Sequence, residues 1–225
     1  NNHLSPADWN AMIANNDVVI LDTRNDYETE IGVFEGALDP KLQSFQEFPE
    51  WVKDCNIPKD KKVLMYCTGG IRCERATALL SQMERAEDEL ETQGIFHVRG
   101  GIDRYLKTFP EGGYWKGRNY LFDLRGEQKA EEKDEKEVES ETKSVCCVCK
   151  YPYALYKGKH VCGDKECKVP VLVCDRCRAR ADGELKSALR CPLCETGVSL
   201  RDLPLPDLVA QKRKLALDGN RAITG

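Results

Sequence analysis

One short segment of the chain combines a nucleophile with a glycine-rich, anion-binding type of loop. The segment reads Cys67-Thr68-Gly69-Gly70-Ile71-Arg72; an apolar run, 63–66, precedes it and a helix-like run, 74–80, follows it. In a strand–loop–helix unit, backbone N–H groups and the positive end of the helix dipole point at the loop. We therefore expect Cys67 to react as a thiolate, with Arg72 stabilising negative charge beside it. The predicted substrate-binding residues complete the loop: Thr68, Gly69, Gly70, Ile71 and Cys73.

A second chemical signal is a cluster of cysteines in the last third of the chain. Nine of the 12 cysteines lie between residues 146 and 194, and eight of them form four closely spaced pairs. Four thiolates make a tetrahedral zinc site, so four pairs predict two structural zinc ions. The ligand pairs are Cys146 and Cys149, Cys162 and Cys167, Cys174 and Cys177, and Cys191 and Cys194.

The spacing leaves open how these pairs combine. A cross-braced module joins the first pair with the third, and a sequential module joins the first with the second. The spacing resembles cross-braced fingers of the RING and FYVE type, without the RING histidine or the basic FYVE motif. Cys147 is an alternative to Cys146 as a ligand, and His160 is a less favoured alternative to Cys162. Disulfides or an iron–sulfur cluster are the other readings of the cysteines.

Composition divides the chain into four segments. Residues 1–125 carry 15 Lys and Arg against 21 Asp and Glu, which gives no electrostatic support for nucleic-acid binding by that segment as a whole. Residues 126–144 are nearly all charged or small polar, and we expect a disordered or loosely helical linker there. Residues 145–200 form the cysteine-rich module, and 201–225 form a tail in which we expect a short amphipathic helix over 208–217.

The same totals bear on location. We find no apolar run long enough for a membrane helix, and reactive cysteines beside metal-type CxxC pairs favour a reducing, cytoplasmic compartment. Because the first residue is Asn1, we expect the sequence to be a fragment or a processed chain.

Short apolar runs alternate with helical segments through the first 110 residues. This pattern predicts an α/β fold, a parallel sheet with helices on both faces, followed by the small zinc-stabilised module. The cysteine loop then lies at the carboxyl end of a strand, where such sheets place their chemistry.

Three further motifs agree with the loop in order and spacing. They are Leu21-Asp22-Thr23-Arg24, the segment from Ile31 to Leu38, and Val98-Arg99-Gly100-Gly101. Together with the Cys67 loop they resemble the rhodanese sulfurtransferases over roughly residues 3–109, although Val33 replaces a usual histidine. The resemblance implies that Cys67 accepts sulfur as a persulfide from a sulfane donor such as thiosulfate or another persulfide. Cys73 is then either a resolving thiol or a packing residue.

Loop length supports that reading. Four residues separate Cys67 from Arg72, whereas related phosphatases place five there to cradle phosphate. Sulfurtransferase-like chemistry is therefore our first interpretation of the loop.

Residues 100–125 indicate a particular branch of that family. The extension after the Gly-Gly turn, with the following cysteine-rich region, is similar to the rhodanese-type tRNA uridine hydroxylases and their eukaryotic relatives. That resemblance implies oxygen-dependent hydroxylation of a wobble uridine, with tRNA as a partner. Family members carry a further α/β domain before the rhodanese domain that we do not see in this sequence.

Two alternatives stay open for the regions outside the loop. Trp115, Lys116, Arg118 and Tyr120 interleave aromatic and basic groups, and form either a base-stacking surface or a packed extension. The whole chain also has a non-enzymatic reading, a rhodanese fold and zinc finger that together recruit a protein or RNA partner.

Overall fold

The computed structural model describes residues 2–15, 17–55, 57, 60–85, 92–122, 126–157 and 160–197. The tail, with the helix expected over 208–217, lies outside the described residues. Eight strands are present in that part of the chain: β1 His3–Leu4, β2 Val18–Asp22, β3 Gly32–Phe34, β4 Lys62–Tyr66, β5 Ile95–Val98, β6 Trp115–Gly117, β7 Asn119–Tyr120 and β8 Glu127–Gln128. Eight α-helices accompany them: α1 Pro6–Ala14, α2 Asp26–Thr29, α3 Phe48–Asp54, α4 Ile71–Arg85, α5 Gly101–Thr108, α6 Glu135–Ser140, α7 Arg178–Asp182 and α8 Pro192–Glu195.

The central sheet is parallel, in the order β1-β5-β4-β2. The side chains of β4 alternate between two cores, as expected for a strand buried on both faces. Val63 and Met65 face α3 and α4, and Leu64 and Tyr66 face α1 and α5. The predicted parallel α/β fold with helices on both faces is confirmed.

Helix starts follow the local sequence. Ser5 caps α1 by accepting the Asp8 N–H, with Pro6 in the first turn. Helix α4 begins at Ile71, earlier than the sequence suggested, so Arg72 already lies in its first turn. Among the described helices, none combines the length and apolarity needed to cross a bilayer.

Residues 126–144 are ordered, which differs from the expected disordered or loosely helical linker, although helix α6 lies within them. Strand β8 pairs with β7, and α6 buries Val138 completely. Lys133 is buried, its ammonium lies 2.5 Å from the Glu141 carboxylate, and Glu141 also accepts the Gly117 N–H at 2.9 Å. The apolar residues Ala130 and Val138 therefore lie at buried positions, and Lys133, Glu135 and Glu141 each form an ion pair.

The cysteine-rich module packs onto the α/β domain. Its core of cysteines and aliphatic residues includes Ile31, which comes from the α/β domain. The Tyr156 hydroxyl donates to the Tyr27 carbonyl at 2.7 Å across the same boundary. The two parts of the chain thus share buried surface close to α2.

Candidate active site and metal centres

Cys67 opens a tight loop between β4 and α4. The Gly70 N–H donates to the Cys67 Sγ at 3.0 Å. Gly70 reaches this position with φ +98°, a conformation that favours glycine. The amino end of α4 follows directly, so its dipole adds to the amide in favouring negative charge on the sulfur.

The Gly-Gly turn at the start of α5 packs against the backbone of the Cys67 loop. The Ile102 N–H donates to the Cys67 carbonyl at 3.0 Å, and the Asp103 N–H donates to the Thr68 carbonyl at 3.1 Å. A Cβ on Gly101 would lie 2.4 Å from the Cys67 carbonyl oxygen, so this approach requires glycine. The Cys67 and Thr68 carbonyls therefore point toward α5, while the Gly70 amide on the other side of the loop points at the Cys67 sulfur.

The surroundings of Cys67 make its thiol unusually acidic. A hydrogen bond from Cys73, reinforced by the Arg72 charge and the Gly70 amide, outweighs burial and lowers the pKa of Cys67 to about 6. Burial, followed by its contact with Cys67, raises the pKa of Cys73 well above the usual value. Cys73 is completely buried and also contacts the Thr23 hydroxyl at 3.6 Å. It therefore faces Cys67 from inside the protein rather than an open substrate surface.

Arg72 does not stand alone beside Cys67. Its guanidinium forms a two-point ion pair with the Glu28 carboxylate, at 2.6 and 2.7 Å. Glu28 is fully buried and also accepts the Thr68 hydroxyl at 3.0 Å and the Asn25 N–H at 3.1 Å. Sequence reasoning missed Glu28; the only local signal was its spacing from Asn25, which is that of a helix-capping pair.

The Asp22-x-Arg24 motif is structural in this protein. Both side chains are fully buried and paired at 2.6 Å, and the Arg24 guanidinium also donates to the Gly32 carbonyl at 2.6 Å. Its Cζ lies 5.4 Å from the Tyr66 ring centre and 5.1 Å from that of Trp115. The Arg24 guanidinium also donates to the Glu28 carbonyl at 3.2 Å, and Asp22 accepts the Thr29 hydroxyl at 3.1 Å. The motif thus fixes the carboxyl end of α2, which carries Glu28.

The open side of the loop is partly apolar. Ile71 is 73% exposed, and Phe122 is 65% exposed with its ring centre 5.6 Å from the Arg72 Cζ. Gly69 has open space around it. A cavity of about 350 Å³ lies beside the loop; its lining includes Gly69, Gly70, Gly100, His3, His97 and Arg99.

The aromatic and basic residues after the Gly-Gly turn are mostly packed. Trp115 is fully buried, and Arg118 is 4% exposed and pairs with Glu135. Tyr120 is half-buried. The packed-extension reading therefore holds for Trp115 and Arg118, while Phe122 is the aromatic side chain of this extension that faces solvent.

The eight paired cysteines assemble into two groups of four. Within each group the sulfur atoms all lie within 4.8 Å of one another. The first group joins the first and third pairs, and the second joins the second and fourth, which is the cross-braced arrangement. The groups are Cys146, Cys149, Cys174 and Cys177, and Cys162, Cys167, Cys191 and Cys194.

The geometry of both groups fits a tetrahedral metal ion. The sulfur atoms of Cys149 and Cys174 are 3.6 Å apart, as are those of Cys167 and Cys191. A tetrahedron with Zn–S bonds of 2.3 Å has edges of about 3.8 Å. Cys147 and His160 lie outside both groups; the His160 Nε2 contacts Asp182 at 2.9 Å instead. Two cysteine clusters able to bind metal are therefore present.

Comparison with known families agrees with this architecture. The rhodanese-like domain family matches residues 5–108, and the rhodanase C-terminal family matches residues 116–196. The first match contains the whole Cys67 loop, and the second contains both cysteine groups.

The curated relatives described here are named tRNA uridine(34) hydroxylase. The chain is 48% identical to the tRNA uridine(34) hydroxylase of Agrobacterium fabrum over 125 residues, which are 55% of this chain and 38% of that protein. It is 43% identical over 152 residues to the protein of the same name from Teredinibacter turnerae, covering 67% of this chain and 43% of that protein. A solved rhodanese-related protein from Thermoplasma volcanium is 25% identical, with a TM-score of 0.39, covering 48% of this chain and 94% of that one. The chain spans about two fifths of the length of the curated relatives it matches.

Proposed function

Because this chain is a rhodanese-like domain protein similar to tRNA uridine(34) hydroxylases, we propose that it carries the catalytic cysteine for hydroxylating a tRNA wobble uridine. The observation that carries the proposal is the acidic Cys67 thiol, held by the Gly70 amide in a loop whose arginine is already paired with Glu28. Sulfur transfer, our first interpretation of the loop, becomes the second candidate.

The proposed chemistry uses the thiolate as a nucleophile. The Cys67 thiolate adds to C6 of the uracil ring, which makes C5 electron-rich. C5 takes up O₂ as a hydroperoxide, a dithiol reductant supplies two electrons and two protons, and water leaves with one oxygen atom. Loss of the C5 proton and of the thiolate restores the ring. The net reaction consumes uridine, O₂ and a dithiol, and yields hydroxyuridine, water and a disulfide.

The loop residues stabilise the Cys67 thiolate both before it adds to C6 and when it leaves C6. With a pKa of about 6, Cys67 is largely ionised at neutral pH and also leaves readily from C6. The buried Cys73 thiol and the Gly70 amide hold the sulfur anion between the two events. These contacts make Cys73 a positioning residue in the proposal.

The Arg72–Glu28 pair is the reason to rank sulfur transfer second. Thiosulfate is a dianion, and it needs unpaired positive charge beside the nucleophile. The Arg72 charge is already matched by a fully buried carboxylate at two points. A neutral uracil ring makes no such demand. The four-residue gap between Cys67 and Arg72 is the observation that keeps sulfur transfer as a candidate.

We further propose zinc in both cysteine groups, in a structural role. Four thiolates per group, tetrahedral sulfur spacing and a module of about 50 residues with a small core all support metal-dependent folding. Free thiols in the loop and thiolate ligands in the module both require a reducing compartment.

One experiment separates the two enzymatic candidates. The chain is incubated in air with dithiothreitol and a tRNA bearing uridine 34, and separately with thiosulfate; RNA and protein are then weighed by mass spectrometry. We expect one added oxygen on the uridine, abolished by Cys67→Ala and retained by Cys55→Ala, whose thiol donates to the Val52 carbonyl at the end of α3. An unchanged RNA together with one added sulfur on Cys67 would replace hydroxylation with sulfur transfer.

A further inference from the structure

The exposed ring of Phe122 lies beside Arg72, the last residue of the Cys67 loop. It is 65% exposed, and its centre is 5.6 Å from the Arg72 Cζ. The charge of Arg72 in turn acts on Cys67. The ring is therefore available to a ligand that approaches the Cys67 loop from solvent.

Other aromatic rings support Phe122 from below. It packs edge-on against Tyr120, with ring centres 5.1 Å apart at 80°. Tyr120 packs edge-on against both Tyr27 and Tyr156, each at 5.3 Å. The Tyr156 hydroxyl donates to the Tyr27 carbonyl at 2.7 Å, which ties the far side of the group to α2. We call Tyr27, Tyr120, Phe122 and Tyr156 the aromatic step. Its packing presents the Phe122 ring to solvent already ordered, which lowers the entropic cost of stacking a ligand on it.

Charge argues for the kind of ligand that the step takes. Residues 1–125 carry 15 Lys and Arg against 21 Asp and Glu, so phosphate attraction contributes little to RNA binding by this part of the chain. Stacking of a base on an aromatic ring does not depend on net charge. The Arg72 guanidinium, fixed by Glu28, adds a flat cation next to that ring.

We propose that Phe122 is a stacking site for a nucleobase adjacent to the reacting uridine in an RNA substrate, an inference that rests on the proposed function. The reacting base itself must reach Cys67, whereas the Phe122 ring lies against the Arg72 guanidinium. The step therefore takes the neighbouring base, holds the strand beside the loop, and directs the uridine to the sulfur.

The test uses the full chain and an anticodon stem–loop RNA with 2-aminopurine on either side of the uridine, because stacking on an aromatic ring quenches 2-aminopurine fluorescence. We expect quenching with the wild-type chain. Phe122→Ala should abolish it and weaken binding about 5- to 100-fold, while Phe122→Trp should preserve both. Tyr151→Ala is the matched control, since Tyr151 is 55% exposed and has Arg176 5.4 Å from its ring centre, but lies in the cysteine-rich module.

The outcomes separate this inference from the proposed function. Unchanged quenching and affinity in Phe122→Ala would overturn the stacking site, even if the wild-type chain hydroxylates the RNA. Phe122-dependent quenching without hydroxylation would support the stacking site and refute the proposed reaction. Cys67→Ser should quench like the wild type and add no oxygen. Absence of any RNA binding by the wild-type chain would overturn both proposals.

Discussion

The acidity of Cys67 depends most on a neighbour that never reaches solvent, and replacing that neighbour gives a direct test. Cys73 supplies the largest contribution lowering the pKa of Cys67 to about 6. A hydrogen bond to a charged group contributes about 1.5–3 kcal/mol, and 1.36 kcal/mol corresponds to a tenfold change in acidity. Cys73→Ala should therefore raise the pKa of Cys67 to about 7–8. At pH 7 the thiolate fraction should fall about two- to tenfold.

The assay is the pH dependence of Cys67 alkylation. Iodoacetamide is added to the metal-loaded protein from pH 5 to 9, and the Cys67 peptide is quantified by mass spectrometry. The control is Cys73→Ser, which keeps a donor hydroxyl at nearly the same position and should leave the midpoint close to that of the wild type. A midpoint near pH 6 in Cys73→Ala, or equal shifts in both variants, would refute the assignment. The acidity would then belong to the loop amides, the helix dipole and Arg72.

Further expectations concern stability and metal content. Arg72→Met leaves the buried Glu28 carboxylate unpaired and should cost about 3 kcal/mol in urea unfolding, whereas the double variant with Glu28→Gln should cost less than the sum of the two single changes; additive costs would argue against a coupled pair. Gly101→Ala should slow Cys67 alkylation and destabilise the fold by more than about 1 kcal/mol. Gly36→Ala should cost less, because Gly36 also has a positive φ but a Cβ added there would have no neighbour within 4 Å. Similar losses in the two variants would mean that backbone strain alone matters. Native mass spectrometry should count two zinc ions per chain, and chelation should unfold the cysteine-rich module, as seen in its circular dichroism; a metal-free chain with unchanged spectra would contradict the metal assignment.

Stability should also depend on pH through Cys67. Its pKa in the folded state, about 6, lies below the ordinary value of 9.0. A depressed pKa adds stability above the unfolded value, and that stability is lost as pH falls from about 9 through 6. The difference in unfolding free energy between the wild type and Cys67→Ala should therefore shift in favour of the wild type as pH rises from 6 to 9. A difference that does not vary with pH would contradict the low pKa.

The features that the sequence predicted well are those encoded over short distances. The strand–loop–helix unit around Cys67 occupies fewer than 25 consecutive residues, so its residue types alone indicate its geometry. The four cysteine pairs behave similarly, and the tetrahedral requirement of a metal limits how they combine. In both cases the residues that form the motif and the contacts that determine its geometry lie in one stretch of the chain.

The features that the sequence did not predict depend on contacts between distant segments. Glu28 and Arg72 are 44 residues apart, and no local pattern states that they meet. The charged composition of residues 126–144 predicts disorder. Composition does not show where individual residues pack, and the order of this segment depends on the burial of Val138 and Lys133. The sequence does not distinguish the buried ring of Trp115 from the exposed ring of Phe122, because burial depends on tertiary packing.

The Tyr27–Tyr156 hydrogen bond also has a consequence for protein synthesis. Its two residues are 129 positions apart. On the ribosome, residues 1–109 with the Cys67 loop emerge well before Tyr156, and domains fold as they emerge. The Cys67 loop can therefore form before Tyr156 is present to join the cysteine-rich module to α2. A chain that ends before Tyr156 would therefore carry the complete Cys67 loop, while Tyr27 and Tyr120 would lack the ring that packs against both.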